Sequence, residues 1–217
     1  MSQVLTYLHS YLLCLLRPRA VLDWLQHGVA PFAEGDTELP RPEISTQVAL
    51  SWAMAIVQGI ARLMLANLMV QLFLYFQNEN DFFYALVDTE DGLFPYYLLL
   101  FSTAIDLIFF PILTLVVTEF WNFLLRLYAL FLGVEGDRAE LARDITTVAL
   151  SSHFFLVVPV IGVVFQQLAW LYLLYVGCRH RLGASRGLSV VILVTPTVFV
   201  LMGISLIVLG IFYLIAA

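Results

Sequence analysis

Residues 146–177 read TTVALSSHFFLVVPVIGVVFQQLAWLYLLYVG, thirty-two positions without one acid or arginine. As a helix this run would be about 48 Å long at 1.5 Å per residue. A bilayer core is roughly 30 Å thick, so the run is too long for one crossing and short for two. It is interrupted only by Pro159, Gly162 and the pair Gln166-Gln167. How it is divided decides the count of membrane spans and hence the fold.

Outward from it lie three further apolar stretches, Val48 to Phe76, Pro95 to Thr118 and Leu188 to Ile215. The central run splits into Ile145–Val163 and Val164–Val176, which makes five candidate spans. The composition agrees, with 62% hydrophobic and 12% charged residues against about 45–50% and about 25% in a soluble domain. Those proportions, with a mean hydropathy of +0.94, exclude a soluble globular enzyme and a disordered chain. A net charge of −6 with no lysine argues against a nucleic-acid partner.

All ten basic residues are arginine, and their placement orients the chain. Orientation follows basic residues in short loops beside the spans. Arg17, Arg19 and Arg41 precede the first span. The loop 77–94 has no arginine and carries Glu79, Asp81, Asp88, Glu90 and Asp91. Arg126, Arg138 and Arg143 follow the second span, the turn at 162–167 is uncharged, and Arg179, Arg181 and Arg186 precede the last span. Basic, bare, basic, bare, basic requires five crossings, with the N-terminus cytoplasmic and the C-terminus outside. Cys14 and Cys178 then both face the cytoplasm, where thiols stay reduced.

The expected fold is an all-α integral membrane protein, divided into a cytoplasmic segment, 1–45, and a five-helix transmembrane domain, 46–217. Leu5, Leu8, Leu12, Leu15 and Leu16 recur at helical spacing. Met1–Leu16 is too short to cross and reads equally as an interfacial amphipathic helix or as one packed on the bundle. Trp24 is expected as a second interfacial anchor. Pro31, Pro40 and Pro42, with Glu34, Asp36, Glu38 and Glu43, mark an exposed linker to about Ser45. Phe120–Leu132 is apolar and ends in Gly133; it is expected to form an interfacial helix separated from the second span by a break near Glu119.

Four intramembrane polar residues are candidate functional positions, because ionisable groups at that depth cost about 2.5–3.5 kcal/mol each on insertion scales. Arg62 lies about 21 Å from either end of its span and Asp106 about 16 Å into the next. They are expected to form an ion pair inside the bundle, either a structural clamp or a relay for protons or substrate. Glu119, with Arg126, is expected to snorkel at the inner boundary. His153 is expected to hydrogen-bond to a neighbouring helix. Ser51, Ala55 and Gly59, and likewise Gly203 and Gly210, form small-residue stripes suited to close helix packing. Pro111, Pro159 and Pro196 should kink their helices.

Gly183-Ala184-Ser185-Arg186-Gly187 matches the G-x-S-x-G hydrolase pattern but lacks the strand-to-helix setting which that chemistry needs. Asp88-Thr89-Glu90-Asp91-Gly92 is too short for an EF-hand loop. No metal, nucleotide or cofactor motif occurs, so neither a cofactor nor an enzymatic activity is expected.

The second half resembles the Yip family of five-span membrane proteins, in its bacterial branch. The resemblance is carried by Leu132-Gly133-Val134-Glu135-Gly136, Leu156-Val157-Val158-Pro159, the run Trp170–Gly177 with the basic loop after it, and Leu15-Leu16-Arg17-Pro18 near the start. It implies a cytoplasmic N-terminus, five helices and, for the bacterial branch, the inner membrane. Eukaryotic members are associated with Rab GTPases and vesicle traffic, but their Asp-Leu-Tyr-Gly-Pro signature is absent here. The expected function is a non-enzymatic, membrane-organising or trafficking-type scaffold with few buried polar groups, working through lipids, protein partners or further copies of itself. The alternative is a transporter or channel component using Arg62, Asp106 and His153.

Overall fold

The computed structural model describes residues 3–28, 40–77 and 94–216, and every regular element among them is helical. In order these are α1 (Gln3–Leu16), α2 (Pro18–His27), α3 (Ile44–Gln77), α4 (Phe94–Phe131), α5 (Arg138–Leu150), the 3-10 helix η1 (Ser151–Val157), α6 (Gly162–Arg181) and α7 (Arg186–Ala216). Three of them, α3, α4 and α7, are long and apolar enough to cross a membrane, consistent with an integral membrane protein. The acidic segment 88–92 lies outside the described residues.

The central run does not form two long helices. Its first limb is the end of α5 continued by η1, its second is α6, and the chain reverses through Val158–Ile161. From Ile145 to Val157 the first limb rises about 23 Å, allowing for the longer rise per residue of the tighter 3-10 turn. The apolar part of α6, Gly162 to Gly177, rises about 24 Å. Pro159 therefore ends a helix instead of kinking one. Val160 in the turn has φ 66°, a left-handed conformation that a β-branched side chain rarely adopts. Gly162 opens α6 against the carbonyl of Phe155, where any side chain would collide with backbone.

Helix boundaries follow local chemistry. Asp137 caps α5, its carboxylate accepting from the Ala139 and Glu140 N–H groups at 2.8 and 3.3 Å. Gly133, at φ 63°, ends α4: Val134 N–H donates to the Ala129 carbonyl and Gly133 N–H to that of Leu130, the two bonds of a Schellman cap. Ser185 opens α7, its hydroxyl accepting the Leu188 N–H at 3.3 Å. The G-x-S-x-G serine is thus a helix cap.

The expected break near Glu119 is absent, and α4 runs unbroken to Phe131. Burial holds it straight there, since Trp121, Leu124, Leu125 and Ala129 all enter the core. That core lies at one end of the molecule. It gathers α1, α2, the start of α3, the end of α4, α5, the far half of α6 and the start of α7. Trp24 is buried within it and is not an interfacial anchor. Tyr11 and Cys14 are fully buried as well, so α1 packs on the bundle. The Tyr11 hydroxyl donates to the Leu150 carbonyl at 3.1 Å. The end of the expected linker is pinned too, with Ser10 Oγ donating to the Pro40 carbonyl and Arg41 to that of Leu25, both at 3.1 Å.

Beyond the core, α3, α4 and α7 continue as stems whose large apolar side chains stay exposed, from Trp52 to Tyr75, Tyr97 to Phe123 and Val190 to Leu209.

Candidate functional site

Arg62 and Asp106 approach to 3.7 Å, with side chains 44% and 69% exposed. The pair exists, but on the outer surface of the helix pair and not inside the bundle. The register of α3 on α4 explains this. Gly59 faces Leu107 and Thr103, and position 106 lies about 60° round the helix from 103 and 100° from 107, on the flank of the contact. Ser51 and Ala55 are buried on the same side of α3, Ser51 donating to the Leu150 carbonyl at 3.3 Å. Gly203 has nothing within 4 Å of where a Cβ would stand, so its expected packing is not made among the described residues. The surroundings of Gly210 lie outside what is described.

The hairpin turn reaches the level of this ion pair. Arg62 lines a cavity of about 220 Å³ with Gln58, Leu65, Pro159, Val160 and Val163.

On the other side of the ion pair, Asp106 and His153 share a cavity of about 390 Å³ between α4, η1, α6 and α7. His153 is buried, and its Nδ1 bonds the Leu150 carbonyl of its own turn at 2.8 Å, not a neighbouring helix as expected. A ring nitrogen facing a carbonyl carries the proton, leaving Nε2 as an acceptor. The ring is held edge-on by Phe110 at 5.5 Å and Trp170 at 5.8 Å. Gln166 also lines the cavity. It is only 7% exposed; its amide makes no hydrogen bond among the described residues and is reached from the cavity. From sequence, Gln166 registers only as an interruption of an apolar run; two adjacent glutamines inside such a run were the available signal.

A third, larger cavity of about 650 Å³ lies at the core end, lined by Arg41, Glu43, Glu119, Asp137, Glu140 and Arg143 among others. Glu119 accepts from Asn122 Nδ2 at 3.3 Å, and Arg41 pairs with Glu140 at 3.1 Å. Arg126 turns its Nε inward, where it has no partner, so it does not simply snorkel. No group of three His, Cys, Asp or Glu side chains suited to a metal ion occurs among the described residues.

The expectation of few buried polar groups is corrected. Thr114, Thr118 and Asn122 on α4, and Asp144, Thr146, Thr147, Ser151, Ser152 and His153 on α5 and η1, are all buried. Most are satisfied locally: Thr118, Thr147 and Ser151 each donate to a carbonyl of their own helix at 2.7 Å. Thr146 joins α5 to α4 through Asn122 Oδ1, also at 2.7 Å. Such bonding spends the donors a proton path would use.

Asp144 and Arg181 form a buried ion pair at the base of the hairpin, one that sequence reading missed. Asp144 is the charge that precedes the thirty-two-residue run, two positions before it, and Arg181 lies four positions after it, beyond Arg179. Burial pushes the Asp144 carboxyl above its usual range, with the Arg181 guanidinium opposing that.

Comparison with protein families, curated proteins and solved structures finds no match for this chain, and the resemblance to the Yip family rests on the quoted motifs.

Proposed function

We propose that this chain is a non-enzymatic, membrane-organising protein that acts through lipids by filling one leaflet more than the other. The observation that carries the reading is the depth of the α5–η1–α6 hairpin. Its tip lines one cavity with Arg62, while α3 continues about 22 Å further to Gln77 and α4 about 18 Å further to Phe94. The exposed apolar band of α3, Trp52 to Tyr75, has its midpoint near Arg62. The hairpin then reaches mid-bilayer and returns, so its two limbs and the three stems fill the core-side half and the three stems alone the other. All arginines except Arg62 belong to the core end, which makes that half cytoplasmic.

In this reading the chain crosses three times, where five separate crossings were expected from sequence. A re-entrant hairpin removes two crossings, so the parity, the cytoplasmic N-terminus and the outward C-terminus are unchanged. The chain reverses at Val158–Ile161 and not at the expected 162–167, which open α6; in this reading the turn carries no charge because it stays in lipid. The bacterial inner membrane implied by the family resemblance is compatible with the same arrangement, though the five spans it implies become three crossings and a hairpin. A transport reading is favoured less, because Arg62 lines a different cavity from His153 and the core-end cavity shares no lining residue with theirs.

Two measurements test this. A cysteine at Ile161 should resist membrane-impermeant maleimide from both sides of sealed vesicles; labelling from the outer side would establish five crossings. Reconstituted protein should enrich on narrow tethers pulled from giant vesicles, and indifference to curvature would overturn the leaflet-filling function.

A further inference from the structure

We infer that the cavity shared by His153, Gln166 and Asp106 is a binding site for an uncharged amphiphile with a hydroxyl head. Three observations converge on that chemistry. First, the site is built: Gln166 and His153 are more than nine-tenths buried, and the Gln166 amide and the His153 Nε2 have no protein partner among the described residues. Leaving such groups empty in an apolar setting is costly, and a hydroxyl satisfies both, donating to Nε2 and bonding the amide.

Second, the site is close to neutral. Its one charged lining residue is Asp106, whose carboxylate already has Arg62 at 3.7 Å. An anionic head would meet that carboxylate, and a cationic head would compete with the arginine. Depth points the same way, because the cavity runs along α4 from Asp106 to Trp121 and its buried His153 stands beside Phe110, about one helical turn from the level of Asp106. A phosphate head would have to leave the interface to reach it, whereas an alcohol loses far less hydration.

Third, the mouth suits a hydrocarbon tail. Leu113 and Val117 on α4 and Leu171 on α6 line it and are exposed on the apolar surface, while Trp121 and Trp170 are buried in its lining. A tail can lie out along α4 and α6 with its head inside.

The depth assignment rests on the membrane placement proposed above; the bonding chemistry does not. The test uses the full chain in nanodiscs with four photoactivatable probes: a diacylglycerol, a long-chain isoprenoid alcohol, a phosphatidylcholine and a phosphatidylglycerol. One or both alcohols should crosslink to residues lining the cavity, and which one does so identifies the source of the hydroxyl. Both phospholipids should crosslink only on the outer faces of the stems. His153→Leu and Gln166→Leu should each lower alcohol labelling about five- to tenfold, the loss of one buried hydrogen bond. Leu171→Trp, which fills the exposed mouth without touching the buried groups, should abolish it and covers the case that a core variant fails to fold. Labelling of the cavity by either phospholipid, or alcohol labelling unmoved by both Gln166→Leu and Leu171→Trp, overturns the proposal. The Ile161 cysteine reports the hairpin depth separately, so the site can fail while the topology stands.

Discussion

Asp144 and Arg181, thirty-seven residues apart, close the base of the hairpin with an ion pair whose side chains are only 7% and 10% exposed. Neither helix limb is long, so this contact and the packing around it hold the two limbs side by side. Removing one partner of a buried pair leaves a charge without compensation, at a typical cost of about 3–5 kcal/mol. Asp144→Leu and Arg181→Met should each destabilise the protein on that scale. The double variant, with both charges gone, should recover most of the loss in a detergent unfolding titration. A double variant as unstable as the sum of the two would show that the pair itself contributes nothing.

At Gly177, α6 packs tightly on α5. A Cβ there would stand 2.5 Å from Ile145 Cγ2, well inside van der Waals contact. Gly177→Ala should cost about 1–3 kcal/mol, the usual penalty for forcing an extra methyl into a packed core. Ile145→Ala removes the colliding atoms, so the double variant should unfold later than the sum of the single changes implies. Thermal unfolding of the four proteins in one detergent is the measurement.

Arg62 and Asp106 are partly exposed to the surroundings of the stems, and each single change strands the other charge on an apolar surface. Arg62→Met and Asp106→Leu should each reduce the yield of folded, monodisperse protein, and the exchange Arg62→Asp with Asp106→Arg should restore it. Yield from a matched membrane preparation, read by size exclusion, checks this. An exchange no better than either single change would mean the 3.7 Å approach contributes nothing to the fold.

Burial pushes the thiols of Cys14 and Cys178 up to about 12 from their ordinary 9.0. Both are free and enclosed. Reaction with a thiol reagent at pH 8 should therefore be slow in the folded protein and accelerate together with global unfolding. A raised acid constant in the folded state also sets the pH dependence. Stability is intact below pH 9, where both states hold the proton, and falls as pH rises from 9 toward 12, where only the unfolded chain ionises. Cys14→Ala with Cys178→Ala should flatten that alkaline loss, measured as the unfolding midpoint between pH 8 and pH 11.

Much of this molecule is readable from its residues one stretch at a time. Apolar length singles out α3, α4 and α7, Gly133 marks the end of α4, and the arginines gather at one end. Each of these depends on local composition and on chain geometry over a few turns. The rest depends on contacts between distant segments, which no local pattern encodes. The run 146–177 has the hydropathy of two crossings, yet only the docking of its tip beside Arg62 shows how far it reaches. Trp24 has the amphipathic character of an interfacial anchor, and α2 packing against α5 and α6 buries it instead. Gln166 joins His153 and Asp106 in one cavity because three helices converge there. Periodicity and hydropathy specify which residues avoid water; which neighbours they meet is settled by the close packing of the assembled chain.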